Sequence, residues 1–130
     1  MKQRGFTVIE LFMVIVILIV GSWLFFSERA AVNAAQRDAT RKTAINAMYY
    51  NLEEVYYPKY GYYPSTISDK NLRAMDPALF TDPEGNQIGT AGSDYHYTGT
   101  NCTTDGHCKS YRLDSTMERE ADYVKTSRNS

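Results

Sequence analysis

The chain has 130 residues and a formal net charge of −1, room for one small domain and an accessory segment but not for two full domains. A balance so near neutrality gives no electrostatic case for nucleic acid as the principal partner. The mean hydropathy of −0.45 averages two unlike parts: residues 6–26 are almost all apolar, and the remainder is polar and rich in tyrosine.

As a helix, the run at 6–26 would span ~31 Å, the thickness of a bilayer core. One alternative is a helix buried in a soluble protein, but a domain this small cannot surround a helix that is apolar on all sides. The other is a removable secretory signal, which the basic start at Lys2 and Arg4 fits. Against it, the run is long, lacks a small-x-small cleavage site after Phe26 and contains Glu10. An ionised group in hydrocarbon costs ~2.5–3.5 kcal/mol and is usually functional. The plainest reading of Glu10 puts it in the headgroup zone. Arg29, Arg37, Arg41 and Lys42 follow the span closely, so basic residues alone do not set its orientation.

The segment Gly5-Phe6-Thr7-Val8-Ile9-Glu10-Leu11 closely resembles the processing site of type IV prepilins and type II secretion pseudopilins. The resemblance implies that residues 1–5 are a leader cut after Gly5, and that Phe6 becomes an N-methylated N-terminus. Glu10 would then be the fifth residue of the mature chain. In that family this glutamate meets the N-terminal amine of another subunit, and an unpaired buried charge does seek an opposite charge at matching height. Glu10 is therefore expected to set axial register during assembly. The resemblance further implies a cytoplasmic leader and an external head, with a prepilin peptidase, an assembly ATPase and a platform protein as partners.

Residues 27–57 contain no glycine or proline, and Ala31, Ala35, Ala39, Ile45, Met48, Leu52 and Val55 recur at helical spacing. One helix over 6–57 is predicted, ~75–80 Å long, with an apolar first half and an amphipathic second half docked on a head. It should end before Pro58, since the residue preceding proline disfavours helix. Gly21 is the helix's one glycine and a candidate point of flexibility, although the proline that many pilins carry nearby is missing here.

The head is expected over 58–130. Tyr60, Tyr62 and Tyr63, in a turn-rich aromatic stretch, either pack over the helix end or form a surface-contact patch, for instance on a host surface. Gly61-Tyr62-Tyr63-Pro64 and the Asp82-Pro83-Glu84-Gly85-Asn86 turn resemble segments of major pseudopilins. The acidic turn lacks the spaced ligands of a calcium loop. Leu72, Met75, Leu79 and Phe80 are expected to face inward. Three strands follow at 94–98, 109–118 and 121–126. In the second, Tyr111, Leu113, Ser115 and Met117 alternate with Arg112, Asp114, Thr116 and Glu118. Cys102 and Cys108 flank a five-residue loop and read as a disulfide worth ~2 kcal/mol outside the cytoplasm. Zinc binding by Cys102, Cys108, His96 and His107 fits no standard spacing, and catalysis by a Cys-His pair is not expected.

The expected fold class is α+β: a long N-terminal helix with a small C-terminal antiparallel sheet, type IV pilin-like. No enzymatic activity, cofactor or metal is expected. The expected function is that of a structural pilus subunit. It waits as a single-pass plasma-membrane protein and polymerises with its own copies into an extracellular filament for adhesion, twitching motility or DNA uptake. The alternatives are a major pseudopilin of a periplasmic type II secretion pseudopilus, and a membrane-anchored binding protein that never polymerises.

Overall fold

The structure, a computed structural model, describes residues 5–129; residues 1–4, where most of the expected leader falls, and Ser130 lie outside them. The fold is α+β, one long N-terminal helix followed by a small antiparallel sheet of four strands. The chain divides into two compact units, Met1–Ala34 and Ala35–Ser130.

In the first unit, helix α1 (Val8–Tyr50) begins. It starts two residues later than expected because Thr7 serves as its cap. Valine and isoleucine dominate the early turns, and such residues are mediocre helix formers in water. In hydrocarbon the helix is nonetheless the favoured form, because it satisfies every backbone polar group internally. All residues from Gly5 to Ala30 are exposed, and this helix is long and apolar enough to cross a membrane. The Ser22 hydroxyl donates to the Leu18 carbonyl at 2.7 Å, which satisfies the one hydroxyl in the middle of the run. A Cβ at Gly21 would meet nothing within 4 Å, so no contact within this chain demands glycine there.

In the second unit, the buried face of α1 comprises Asp38, Arg41, Ala44, Ile45 and Met48, and Asn51, Leu52 and Glu53 extend it. The steps 38, 41, 45, 48 and 52 follow one helical stripe. Ala35, Ala39 and Val55, expected on that stripe, are exposed. The stripe turns out to include charged members, which an apolar count omits.

The helical path also runs past the expected stop at Tyr57. A π-helix (Asn51–Tyr56) intervenes, and the Tyr57 N–H donates to the Leu52 carbonyl, five residues back. A further turn, α2 (Tyr57–Tyr60), contains Pro58. Proline clashes with a preceding carbonyl in regular α geometry, and the wider π turn just ahead of it relieves that conflict. Gly61, left-handed at φ 74°, ends the path with its N–H on the Tyr57 carbonyl at 2.8 Å.

The strands are β1 (Tyr63–Pro64), β2 (Tyr95–Cys102), β3 (His107–Ser115) and β4 (Tyr123–Thr126). β3 is central: β2 pairs along one side of it, while β1 and β4 pair with its two ends on the other, all antiparallel. The alternation expected for 109–118 holds, with Tyr111, Leu113, Ser115 and Met117 buried. A 3₁₀ turn (Pro77–Phe80) precedes β2. Leu72, Met75 and Phe80 join Ile45, Met48, Leu52, Tyr63 and Leu113 in one core, with Leu79 at its margin.

Cys102 pairs with Cys108 across the β2–β3 hairpin and is bonded to it, as expected. The bond fixes a neighbour. A Cβ on Gly99 would lie 2.6 Å from the Cys108 sulfur, 3.1 Å from that of Cys102 and 3.3 Å from the Pro64 carbonyl oxygen. Gly99→Ala is therefore expected to destabilise the head by ~1–3 kcal/mol in urea unfolding. Most of that loss should disappear when both cysteines are also replaced by alanine, because the sulfurs are then gone. An undiminished loss in the cysteine-free background would refute the steric account.

Candidate functional site

The expected assembly residue, Glu10, lies in the first turn of α1, and the structure gives it a local partner. The Thr7 N–H and the Thr7 hydroxyl both donate to Glu10 Oε2 at 3.1 Å, and the Glu10 N–H donates to Thr7 Oγ1 at 3.3 Å. This is a capping box, in which two unsatisfied donors of a helix start are bonded reciprocally. The signal, Thr-x-x-Glu, stands in the sequence; attending to the charge of Glu10 alone overlooked it. Gly5 and Phe6, the expected processing junction, are exposed.

The second constellation was not foreseen. Arg41, 1% exposed, lies on the buried face of α1. Its guanidinium contacts four carboxylates: Asp38 at 2.9 Å, Glu84 at 2.9 Å, Asp94 at 2.7 Å and Glu118 at 2.9 Å. Arg37 adds a two-pronged pair to Glu118, both bonds 2.7 Å. Asp38 also accepts the backbone N–H groups of Glu118 and Arg119 at 2.9 and 3.0 Å. Burial alone would raise the Asp38 carboxyl, but those N–H groups and Arg41 hold it below its ordinary value. Bonds from Arg37 and then Arg41 bring Glu118 from 4.5 down to about 2. Glu84 moves the other way, pushed up by Asp94 and then by burial.

The oxygens of Asp82, Glu84 and Asp94 approach within 4.8 Å of one another. They already have partners. Asp82 accepts the backbone N–H groups of Glu84, Asn86 and Asp94 at 3.0, 2.8 and 2.9 Å, and Arg41 holds the other two carboxylates. The cation this acidic cluster faces is thus a fixed guanidinium. The turn expected at 82–86 is present, with the Asp82 N–H on the Asn86 carbonyl at 2.9 Å and Gly85 at φ 90°.

A third polar group is built on the π-helix. Glu53, buried, accepts the hydroxyls of Tyr63 and Tyr111, both at 2.9 Å, and the Arg128 N–H at 3.0 Å. Tyr63 is completely buried, which corrects its place in the expected surface patch: its hydroxyl is needed on Glu53. Tyr60 is exposed and Tyr62 half-buried, its ring stacked on His107 with centroids 3.6 Å apart. Both cysteine sulfurs are committed to the disulfide, so neither is a thiolate ligand or nucleophile.

The head also carries a groove of about 540 Å³ lined by Tyr56, Tyr60 and Tyr62 and by Lys59, Lys70 and Arg73. Comparison of the chain with family profiles, with curated proteins and with solved structures returns no match.

Arg41→Ala is expected to cost ~2–4 kcal/mol, the range for breaking a buried ion pair reduced for the exposed edges of Glu84 and Glu118. Acid should act on the same cluster. Glu118 and Asp38 titrate lower in the folded head than unfolded, so the unfolded chain binds the extra protons and stability falls with pH. For Glu118 the loss begins near 4.5 and is complete below about 2. Thermal melts between pH 6 and 2 should show a falling midpoint, with a shallower slope in Glu118→Gln. Equal slopes would remove Glu118 from this role.

Proposed function

We propose that the chain is a type IV pilin-like subunit, held in a membrane by residues 6–26 and then polymerised through that helix into an extracellular filament. The observation that carries this reading is the helix surface. Phe6, Ile9, Phe12, Trp23 and Phe26 are each between 66% and 80% exposed. Apolar surface of this extent is covered by lipid or by other protein. A filament of identical helices supplies such a cover after the bilayer does. The Gly5-Phe6 junction and Glu10 support processing and assembly, and the Cys102–Cys108 disulfide suits a head on the oxidising side.

A secretion pseudopilus is the second reading. The turn at Asp82–Asn86 supports it through its resemblance to a pseudopilin segment, and within the head it is built into the Arg41 cluster. Shearing cells separates the two: released filaments containing this chain support the pilus. Retention in the envelope, with loss of exoprotein secretion on deletion, supports the pseudopilus. A functional chain that begins at Met1 and stays monomeric would leave only the anchored binding protein.

Glu10 gives the sharper test, because its cap and its charge can be separated. Glu10→Gln keeps an oxygen acceptor for Thr7 but loses the charge; Glu10→Leu loses both. If charge pairing with a neighbour's N-terminus sets register, both variants should yield at least ~tenfold fewer filaments, as an unpaired buried ammonium demands. Wild-type assembly by Glu10→Gln would reduce Glu10 to a helix cap.

A further inference from the structure

We propose that the groove on the head is a binding site for an anionic sugar, a pyranose ring bearing a carboxylate. The groove belongs wholly to the second unit, and its volume of about 540 Å³ falls in the range of small-ligand sites. Its aromatic wall is already assembled. Tyr56 and Tyr60 have ring centroids 4.6 Å apart, and Tyr62 lies 5.9 Å from each. The stack on His107 braces Tyr62, and Lys59 Nζ sits 5.1 Å from the Tyr60 centroid. Little ordering is then left for a ligand to impose. Burial, with Tyr62 next, pushes the Tyr56 hydroxyl up to about 12, so it stays a neutral donor.

The lining chemistry selects the ligand. The C–H face of a pyranose lies against aromatic rings, its hydroxyls suit the Asn51 carboxamide, and a carboxylate suits Lys59, Lys70 and Arg73; Asn71 lines the groove with its carboxamide already bonded to the Ser68 N–H and the Thr66 carbonyl. Among the described residues, no acidic side chain lines the groove. A nucleic-acid strand would need a basic track over ~4 or more nucleotides. Here Arg37, Arg41, Lys42, Arg112 and Arg128 are each paired with a carboxylate of the head, so that track is not offered. A single acidic sugar unit asks only for the cations in the groove.

The test uses the full chain in detergent micelles, so it does not depend on polymerisation. Titration calorimetry would compare trigalacturonate, its methyl ester and an oligothymidylate. Trigalacturonate should bind with a dissociation constant of ~10 µM to 1 mM, and the ester at least ~tenfold more weakly. Replacing Lys59 and Lys70 together by glutamine should weaken trigalacturonate ~tenfold. Tyr60→Leu should weaken the acid and the ester alike. Lys59, Lys70 and Tyr60 are all exposed, so the variants should keep the fold, which an unchanged thermal midpoint would verify, and Lys125→Gln serves as a control without effect. No binding of trigalacturonate at ~10 mM, equal affinity for the ester, indifference to the paired lysine change, or preference for oligothymidylate would each overturn the proposal.

Discussion

A guanidinium removed from water must find a partner for its charge and for its N–H groups, or it opposes folding. Arg41 finds them in Asp38 on its own helix, in Glu84 of the Asp82–Asn86 turn, in Asp94 just before β2, and in Glu118 just after β3. Those stretches are far apart in sequence and can meet at one guanidinium in few arrangements of the head. The apolar core supplies a larger but non-directional drive. The planar fork of Arg41 adds direction, because carboxylates must arrive in its plane. The upward push of Asp94 on Glu84 reflects a cluster richer in acid than in base. Backbone N–H groups on Asp82 and Asp38 offset that excess without further cations.

The same helix face ends in a second carboxylate, Glu53, held by the Tyr63 and Tyr111 hydroxyls. Between Arg41 and Glu53 lie Ala44, Ile45, Met48 and Leu52, each at most 1% exposed. A wholly apolar strip could slide by a turn at modest cost, since neighbouring apolar residues substitute for one another. Charges at both ends forbid it, because a slip would leave Arg41 or Glu53 buried without its partners. The π turn at Asn51–Tyr56 brings Glu53 inward while still admitting Pro58. This region therefore reconciles a fixed polar contact with a proline that regular helix would reject.

What the sequence disclosed follows from periodicity. The apolar run, the period-two alternation of Tyr111, Leu113 and Ser115, and the inward Leu72 and Phe80 all concern apolar side chains whose spacing matches a burial pattern. What it concealed is polar. Asp38 and Arg41 stand three residues apart on one helix, and only Glu84, Asp94 and Glu118, remote in the chain, complete their buried cluster. β1 consists of Tyr63 and Pro64 alone, too short for any periodicity, and its membership in the sheet is what separates buried Tyr63 from exposed Tyr60. The groove is a compromise case: its tyrosines stood out as a segment, but Lys70 and Arg73 join them only through the fold.

In the proposed filament, the capping box changes how Glu10 is understood. A carboxylate entering an apolar setting needs hydrogen bonds as well as a counter-charge. Thr7 supplies the hydrogen bonds from within the chain, and all of them fall on Oε2. The positive end of the helix dipole adds a fraction of a charge at the same place. That support makes the solitary, membrane-held subunit tolerable with Glu10 near the headgroups, where water can complete its shell. Packing among other helices removes that water but not the cap, so the unmet demand narrows to one cation. In that proposed assembly, a fresh terminal ammonium on a neighbouring subunit would meet the demand at only one height along the helix. Because the cap already fixes the carboxylate's position, the height is defined before the neighbour arrives.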